Sequence, residues 1–402
     1  MRRIVRGLLW TLGAGVVAVA TLIGAMSLDH RAETSLPTPT GSLPVGRSIQ
    51  VWTEDAADPL APVSGTKREL VVWIWYPAAS DTTASPDDYL PDDLLAATDR
   101  QRGALIGRVL TRDLSKVRTH SRRDPELAGQ QTSYPVLLMR AGASSGVENY
   151  SALAEDLASH GYVVVGFNAP YRTSLVTFPD GRVIARTSEN NPELCVGRPD
   201  MAQCAERLLA GWTADLTFVL DRLEQMSSGA TPNRFRDRLD LTKVGAFGHS
   251  FGGAAVTLFC AEDARCKAAV NIDGAPHGRV VQEGLRQPFL FILSDHATET
   301  GPESLEIRAN IQSQYEHMPA ASRHRVAIAG GNHFLFSDDG ALLKSPVAQA
   351  LLRTVGMLRI DGRRQLAATS YCLDNFFDAY LKGTTPHPQL VTPRYPEITL
   401  ID

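Results

Sequence analysis

Ten residues, Val244-Gly245-Ala246-Phe247-Gly248-His249-Ser250-Phe251-Gly252-Gly253, narrow the choice of fold more than any other stretch. An apolar run that reads as a buried strand ends at Gly248, and the apolar residues 254–259 read as a helix. Between them, Gly248-x-Ser250-x-Gly252 sets a serine on a sharp strand-to-helix turn, the nucleophile-elbow pattern. Such a turn strains the serine backbone, and side chains two positions to either side would collide with it. The strain lifts the hydroxyl above the sheet edge, and the following helix points its N-terminus at an oxyanion formed there. A glycine-rich turn without chemistry would show the same pattern, so the serine needs partners elsewhere in the chain.

A serine hydroxyl is a poor nucleophile until an imidazole takes its proton and a carboxylate holds that imidazole in one tautomer. In folds built on this elbow the chain order is Ser, acid, His, each after a strand. His333, in Gly330-Gly331-Asn332-His333-Phe334, follows Val326-Ala327-Ile328-Ala329, which reads as the last strand. His277, His296, His317 and His324 close no strand series. His249 has the wrong direction to serve its neighbour and reads as a packing or supporting residue. Two acids compete, each just after an apolar strand: Asp273 in Asn271-Ile272-Asp273-Gly274 and Asp295 in Leu293-Ser294-Asp295-His296. Either loop could reach His333. The two N–H groups of an oxyanion hole are expected from Phe251 and from Ala143, in the loop Arg140-Ala141-Gly142-Ala143-Ser144-Ser145-Gly146.

The alternation of strands and helices gives the class: α/β, an α/β-hydrolase fold with a mostly parallel central sheet and helices on both faces. Pro135-Val136-Leu137-Leu138-Met139, a helix over 150–160 and Tyr162-Val163-Val164-Val165-Gly166-Phe167 make a βαβ unit with a right-handed crossover. His160, before Gly161, reads as a helix C-terminal residue. The strand Lys67-Arg68-Glu69-Leu70-Val71-Val72-Trp73-Ile74-Trp75-Tyr76-Pro77 is expected to pair with residues 48–52 as an antiparallel hairpin. Apolar residues from Leu208 to Leu223 mark one amphipathic helix, and Leu373, Phe376, Phe377, Tyr380 and Leu381 mark a last one. Leu105, Ile106, Val109, Leu110, Leu114 and Val117 recur at helical spacing among Arg102, Arg108, Arg112, Lys116 and Arg118. That basic helix is either packed on the body or a lid or membrane-surface element. Segments 90–123 and 171–201 read as insertions that wall or cover the cleft.

At 402 residues and 44% hydrophobic content, the chain fits a single α/β domain. A net charge of -4 gives no reason to expect a nucleic acid partner, and no cysteine–histidine spacing suggests a metal site. Arg2, Arg3 and Arg6 precede a charge-free run over 7–28. Residues 1–28 therefore read as a signal peptide or an uncleaved membrane anchor, with the body secreted, periplasmic or anchored to the outer face of the inner membrane. Residues 29–43, rich in Pro, Thr and Ser, read as a tether, and 44–402 as the catalytic domain. Five cysteines in an oxidising compartment suggest local bridges 195–204 and 260–266, with Cys372 free; five thiols is the alternative.

Several of these stretches resemble the platelet-activating factor acetylhydrolases, the serine-esterase family of the plasma enzyme and its bacterial relatives. Trp73-Ile74-Trp75-Tyr76-Pro77 is similar to the family's early strand. Tyr150-Ser151-Ala152-Leu153 and Asp156-Leu157-Ala158-Ser159-His160-Gly161 are similar to the helix after its oxyanion loop. Gly248-His249-Ser250-Phe251-Gly252-Gly253 resembles its elbow, and Gly331-Asn332-His333-Phe334-Leu335-Phe336-Ser337-Asp338 its histidine loop. Asp273 lies 273 − 250 = 23 residues after the serine, the family's spacing, so the resemblance favours Asp273 over Asp295. Where the family usually carries His-Gly, this chain has Ala141-Gly142 after Arg140, so the oxyanion loop must be supported differently. The resemblance implies a calcium-independent esterase without cofactor, acting through an acyl-enzyme on short acyl esters of small-molecule or lipid substrates. Ser250 would be nucleophile, His333 base and Asp273 acid. A polyester or broader lipase-type hydrolase would use the same triad, and a non-catalytic envelope-binding protein could use the same scaffold.

Overall fold

The computed structural model describes residues 2–102, 112–143, 145–229, 231–295, 301–343, 346–354, 356, 358–384 and 394–401. In chain order the strands are β1 (Thr34–Ser35), β2 (Val45–Ala57), β3 (Lys67–Pro77), β4 (Pro86–Asp88), β5 (Val117–Arg123), β6 (Tyr134–Arg140) and β7 (Val163–Asn168). They continue as β8 (Leu175–Thr177), β9 (Val183–Ala185), β10 (Leu239–His249), β11 (Cys266–Ile272), β12 (Phe289–Leu293), β13 (Arg323–Ile328) and β14 (Ile398–Leu400). The longer helices are α1 (Arg2–His30), α2 (Asp92–Arg102), α3 (Ser151–Ser159), α4 (Met201–Ser228), α5 (Phe251–Glu262), α6 (Pro302–Glu316), α7 (Pro346–Thr354) and α8 (Gly362–Phe377).

One 12-stranded sheet runs β1-β5-β2-β3-β7-β6-β10-β11-β12-β13-β14, with β4 on β5, and β8 and β9 form a separate hairpin. From β7 to β13 every neighbouring pair is parallel. These strands are buried on both faces, hence their unbroken apolar sequences. Residues alternate between two cores. Leu137, Met139, Val164, Phe247 and Val270 pack with Leu153 and Leu157 of α3 and Leu366 and Phe376 of α8. Val136, Leu138, Val165, Ala246 and Ala269 pack with Leu216 and Leu220 of α4 and Val256 and Phe259 of α5. The α/β-hydrolase architecture and the early hairpin of β2 with β3 are as expected from the sequence.

Three expectations change. The strand around Val326 is not the last: β14 adds an antiparallel edge to β13, in a run too short to raise a periodic signal. Residues 29–43 are not free. β1 pairs with β5, Leu36 is buried, the Thr40 N–H donates to Asp156 Oδ1 at 2.6 Å and the Leu43 N–H to the Ser159 carbonyl at 3.1 Å. Hydrogen bonds to an α3 side chain and to an α3 backbone carbonyl outweigh the loop-like composition. In the basic segment, residues 103–111 lie outside the described residues, while Val117 and Arg118 belong to β5. Val117 and Arg118 pair with Thr34 and Ser35 of β1, so strand partners override the helical spacing there.

Helix α1 contains an apolar window, Gly13–His30, long enough to cross a membrane and uncovered by the body. The 171–201 segment is anchored from beneath. The buried Arg172 guanidinium bonds Asp58 and the α4 residue Asp215, both at 2.7 Å, and the Asn190 side chain donates to the Leu60 carbonyl. Disulfides join Cys195 to Cys204 and Cys260 to Cys266, and Cys372 is a buried thiol. Unfolded, unreduced protein should therefore titrate with about one thiol per chain; a value near five would rule out both bridges.

Candidate active site

Ser250 stands between β10 and α5 at φ 54 and ψ -128, a conformation that costs a non-glycine residue about 1–3 kcal/mol. Backbone bonds hold it there. The Ser250 N–H donates to the Ile272 carbonyl at 2.8 Å, and the Ser250 carbonyl accepts from Gly253 at 2.9 Å and Ala254 at 3.2 Å. The flanking glycines have a more specific reason than crowding of the serine. A methyl group at Gly248 would overlap the Gly252 carbonyl, and one at Gly252 would overlap the Arg140 and Ala141 carbonyls of the neighbouring β6 end.

Asp273 follows β11, and His333 opens a 3-10 turn (His333–Phe336) shortly after β13. The parallel sheet therefore delivers serine, acid and histidine to the same ends of neighbouring strands. His333 Nδ1 lies 2.7 Å from Asp273 Oδ2, and His333 and Ser250 line one cavity. The Asp273 carboxylate is almost fully buried, whereas the imidazole is one third exposed. Ser294, just after β12, donates its N–H to Asp273 Oδ1 at 2.9 Å and its O–H to Oδ2 at 2.6 Å. These two donors satisfy the buried carboxylate and hold it beside the imidazole. Asp295 goes elsewhere: its Oδ2 accepts the Gly330 N–H at 3.1 Å and lies 3.8 Å from the Arg359 guanidinium, so it braces the histidine loop.

The loop after β6 is supported by His249, as its reading as a supporting residue anticipated, and by Tyr150 and Arg186, which no sequence signal marked for that role. The Gly142 N–H donates to the Tyr150 hydroxyl at 3.2 Å, and that hydroxyl shares a 2.7 Å hydrogen bond with His249 Nδ1. The Arg186 guanidinium, beyond β9, donates to the Ala143 carbonyl. Among the described residues, the N–H groups of Ala143 and Phe251 meet no protein acceptor. Arg140 itself turns inward, donating to the Phe167 carbonyl with its guanidinium 3.9 Å from the Trp212 ring. Burial lowers its ordinarily very high pKa to about 9. Asp338, five residues after His333, accepts the Ser151 and Ala152 N–H groups at the start of α3 and the Tyr89 hydroxyl. It ties the histidine loop to the helix that follows the oxyanion loop, and burial raises its pKa to about 8. Its place in Ser337-Asp338, within the resembling stretch, was the one sequence signal for it.

The other histidines are dispersed. His277 lines the cavity, His317 bonds the Ser313 carbonyl, His324 bonds the Tyr380 hydroxyl, and His296 lies outside the described residues. The cavity measures about 480 Å³ and is mainly apolar, with Phe251, Phe334, Ile307, Pro192, Val196 and Met201 in its wall. Segment 171–201 thus supplies part of the wall, and its Cys195–Cys204 bridge fastens that part to α4. No described residue of 90–123 lines this cavity; instead 117–123 is β5, on the far side of the sheet order from β10.

Two expected outcomes follow from this geometry. Gly252→Ala should destabilise the protein by about 1–3 kcal/mol in urea unfolding, because backbone must move to admit the methyl group. For His249, burial first and the neighbouring His333 second push the pKa from 6.5 down to about 3. Between those values the unfolded chain binds the proton and the native chain does not, so stability falls as pH drops below about 6.5. Urea unfolding across this range should show a shallower fall for His249→Gln than for the parent; equal slopes would refute a neutral buried His249.

A family model described as platelet-activating factor acetylhydrolase, isoform II, matches residues 29–190 and 219–370. A probable 1-alkyl-2-acetylglycerophosphocholine esterase of Arthroderma benhamiae is 23% identical, over 96% of this chain and 99% of that protein. The platelet-activating factor acetylhydrolase of Cavia porcellus is 26% identical over 51% of this chain and 48% of its own. Among solved structures, a ferulic acid esterase from Streptomyces cinnamoneus superposes with TM-score 0.73 at 28% identity, covering 92% of this chain and all of that one.

Proposed function

Since the chain belongs to the platelet-activating factor acetylhydrolase, isoform II, family, we propose that this serine ester hydrolase cleaves short acyl esters of phospholipid-like substrates through an acyl-enzyme on Ser250. The observation that carries the reading is the 2.7 Å bond of His333 to the buried Asp273, made beside the serine of a strained elbow in the same cavity. His333 takes the Ser250 proton through Nε2, since Nδ1 is held by Asp273, and the alkoxide attacks the ester carbonyl. The N–H groups of Phe251 and Ala143 hold the resulting oxyanion. His333 then protonates the leaving alcohol and activates the water that frees the acid. Asp273 fixes the tautomer and stabilises the imidazolium, and Ser294 keeps Asp273 in place.

The names of the relatives support an acetyl-ester preference. A broader esterase, polyester hydrolase included, is the second reading. It is favoured by the size and apolar wall of the cavity, which exceed what an acetyl group needs, and by the likeness to a ferulic acid esterase. The apolar α1 and the two disulfides support export, with the body outside the cytoplasm and, if α1 is retained, beside a membrane surface that holds its lipid substrates.

Ser250→Ala should lower p-nitrophenyl acetate hydrolysis by at least about 10³-fold and abolish labelling by a fluorophosphonate probe, with the fold intact by circular dichroism. Hydrolysis that survives the change sinks the assignment of the nucleophile. A series of p-nitrophenyl esters from acetyl to long acyl chains separates the two substrate readings: a steep fall beyond the shortest chains supports the first, and a flat or rising profile the second.

A further inference from the structure

A second cavity, of about 280 Å³, lies away from Ser250, between residues 37–40, α3 and α8. Asp156 on α3 and His160 at its C-terminal cap are four residues apart and share a helix face, while Asp374 reaches in from α8. One ligand atom from each of the three lies within 4.8 Å of the other two, and His160 Nε2 is 3.6 Å from Asp374 Oδ2. Asp156 is 4% exposed and Asp374 8%. Asp156 Oδ2 and Asp374 Oδ1 are buried and meet no N–H or O–H donor among the described residues. The other Asp156 oxygen takes the Thr40 N–H. The nearby Lys382 ammonium is engaged elsewhere, by Asp378 at 2.8 Å and the His160 carbonyl at 2.7 Å.

Two buried carboxylates that face each other need positive charge between them, from a proton or a cation. An imidazole nitrogen beside them selects among cations. Calcium and magnesium take all-oxygen shells, whereas mixed imidazole and carboxylate sets suit zinc-type ions. We propose that Asp156, His160 and Asp374 bind one divalent transition-metal ion of the zinc type, with water from the cavity completing its coordination. Metal–ligand bonds of about 2.1 Å put tetrahedral ligands roughly 3.4 Å apart, close to the His160–Asp374 separation; the ion would replace the Thr40 hydroxyl, 2.9 Å from His160 Nε2, and small side-chain rotations bring in Asp156. The ion fastens α3 to α8, beneath residues 37–40. Its role is to hold these three segments together, and it takes no part in ester cleavage.

The test uses the full chain freed of any affinity tag and stripped with a chelator. Calorimetric titration with zinc chloride should show one ion per chain, and saturating zinc should raise the melting temperature by roughly 3 °C or more. His160→Gln and Asp374→Asn should each weaken that binding at least about tenfold, while p-nitrophenyl acetate hydrolysis stays within about twofold of the parent. Absence of one-to-one binding in the parent, with an unmoved melting temperature, overturns the proposal and leaves a shared proton between the carboxylates. Binding that persists unchanged in both variants overturns it as well, since the ion then sits elsewhere.

Discussion

The left-handed backbone at Ser250 is the constraint to which the surrounding structure answers. A serine does not stay at φ 54 unless its neighbours leave it no alternative. The Ile272 carbonyl on β11 takes its N–H, two amides of the first turn of α5 take its carbonyl, and the end of β6 leaves no room at Gly252 for a side chain. Each of these contacts comes from a strand adjacent to β10 or from the helix that follows it. The elbow is therefore a property of three parallel strands in register, and not of the motif alone.

Around that turn the sheet acts as a ruler. Parallel strands end at one level, so loops after β6, β10, β11, β12 and β13 converge whatever their distance in sequence. Asp273, itself at φ 55, repeats on β11 the reversal that Ser250 makes on β10. Ser294 then closes over the carboxylate from β12. Further out, Tyr150 connects the β6 loop to His249, and Asp338 connects the histidine loop to α3. The chain lacks the His-Gly pair usual in the oxyanion loop, yet the loop is braced on both sides, by a phenol and by Arg186.

What could be read from the sequence follows from how local each cause is. The elbow, the strands on either side of it and the helices of 208–223 and 373–381 declare themselves by apolar spacing, and the structure has them all. Ser250 and His333 stood out as candidates because Ser250 comes directly after an apolar strand and His333 a few residues after the next-to-last one. The choice of Asp273 over Asp295 was not a local matter: both follow strands, and the difference lies in which carboxylate the His333 ring meets in space. Ser294, Tyr150, Arg186 and Asp338 act through contacts that join distant segments; Tyr150 and Asp338 fall in stretches that resemble the family, but no period or spacing announces the contacts themselves. Residues 34–43 misled for the same reason, since a polar composition does not reveal that Asp156 and Ser159 are waiting to receive it.

The Cys195–Cys204 bridge gives this arrangement a dependence on its surroundings that the candidate triad Ser250, Asp273 and His333 does not itself have. The sheet and the elbow are held mostly by apolar packing and backbone pairing, with the Cys260–Cys266 bridge as one added link between α5 and β11. The outer wall of the cavity is a loop with little core of its own, sewn to α4 by that bridge and pinned by Arg172. A chain made in a reducing cytosol would keep its chemistry but present it in a looser vessel. Selectivity among esters, more than turnover itself, is then the property most exposed to the place of synthesis.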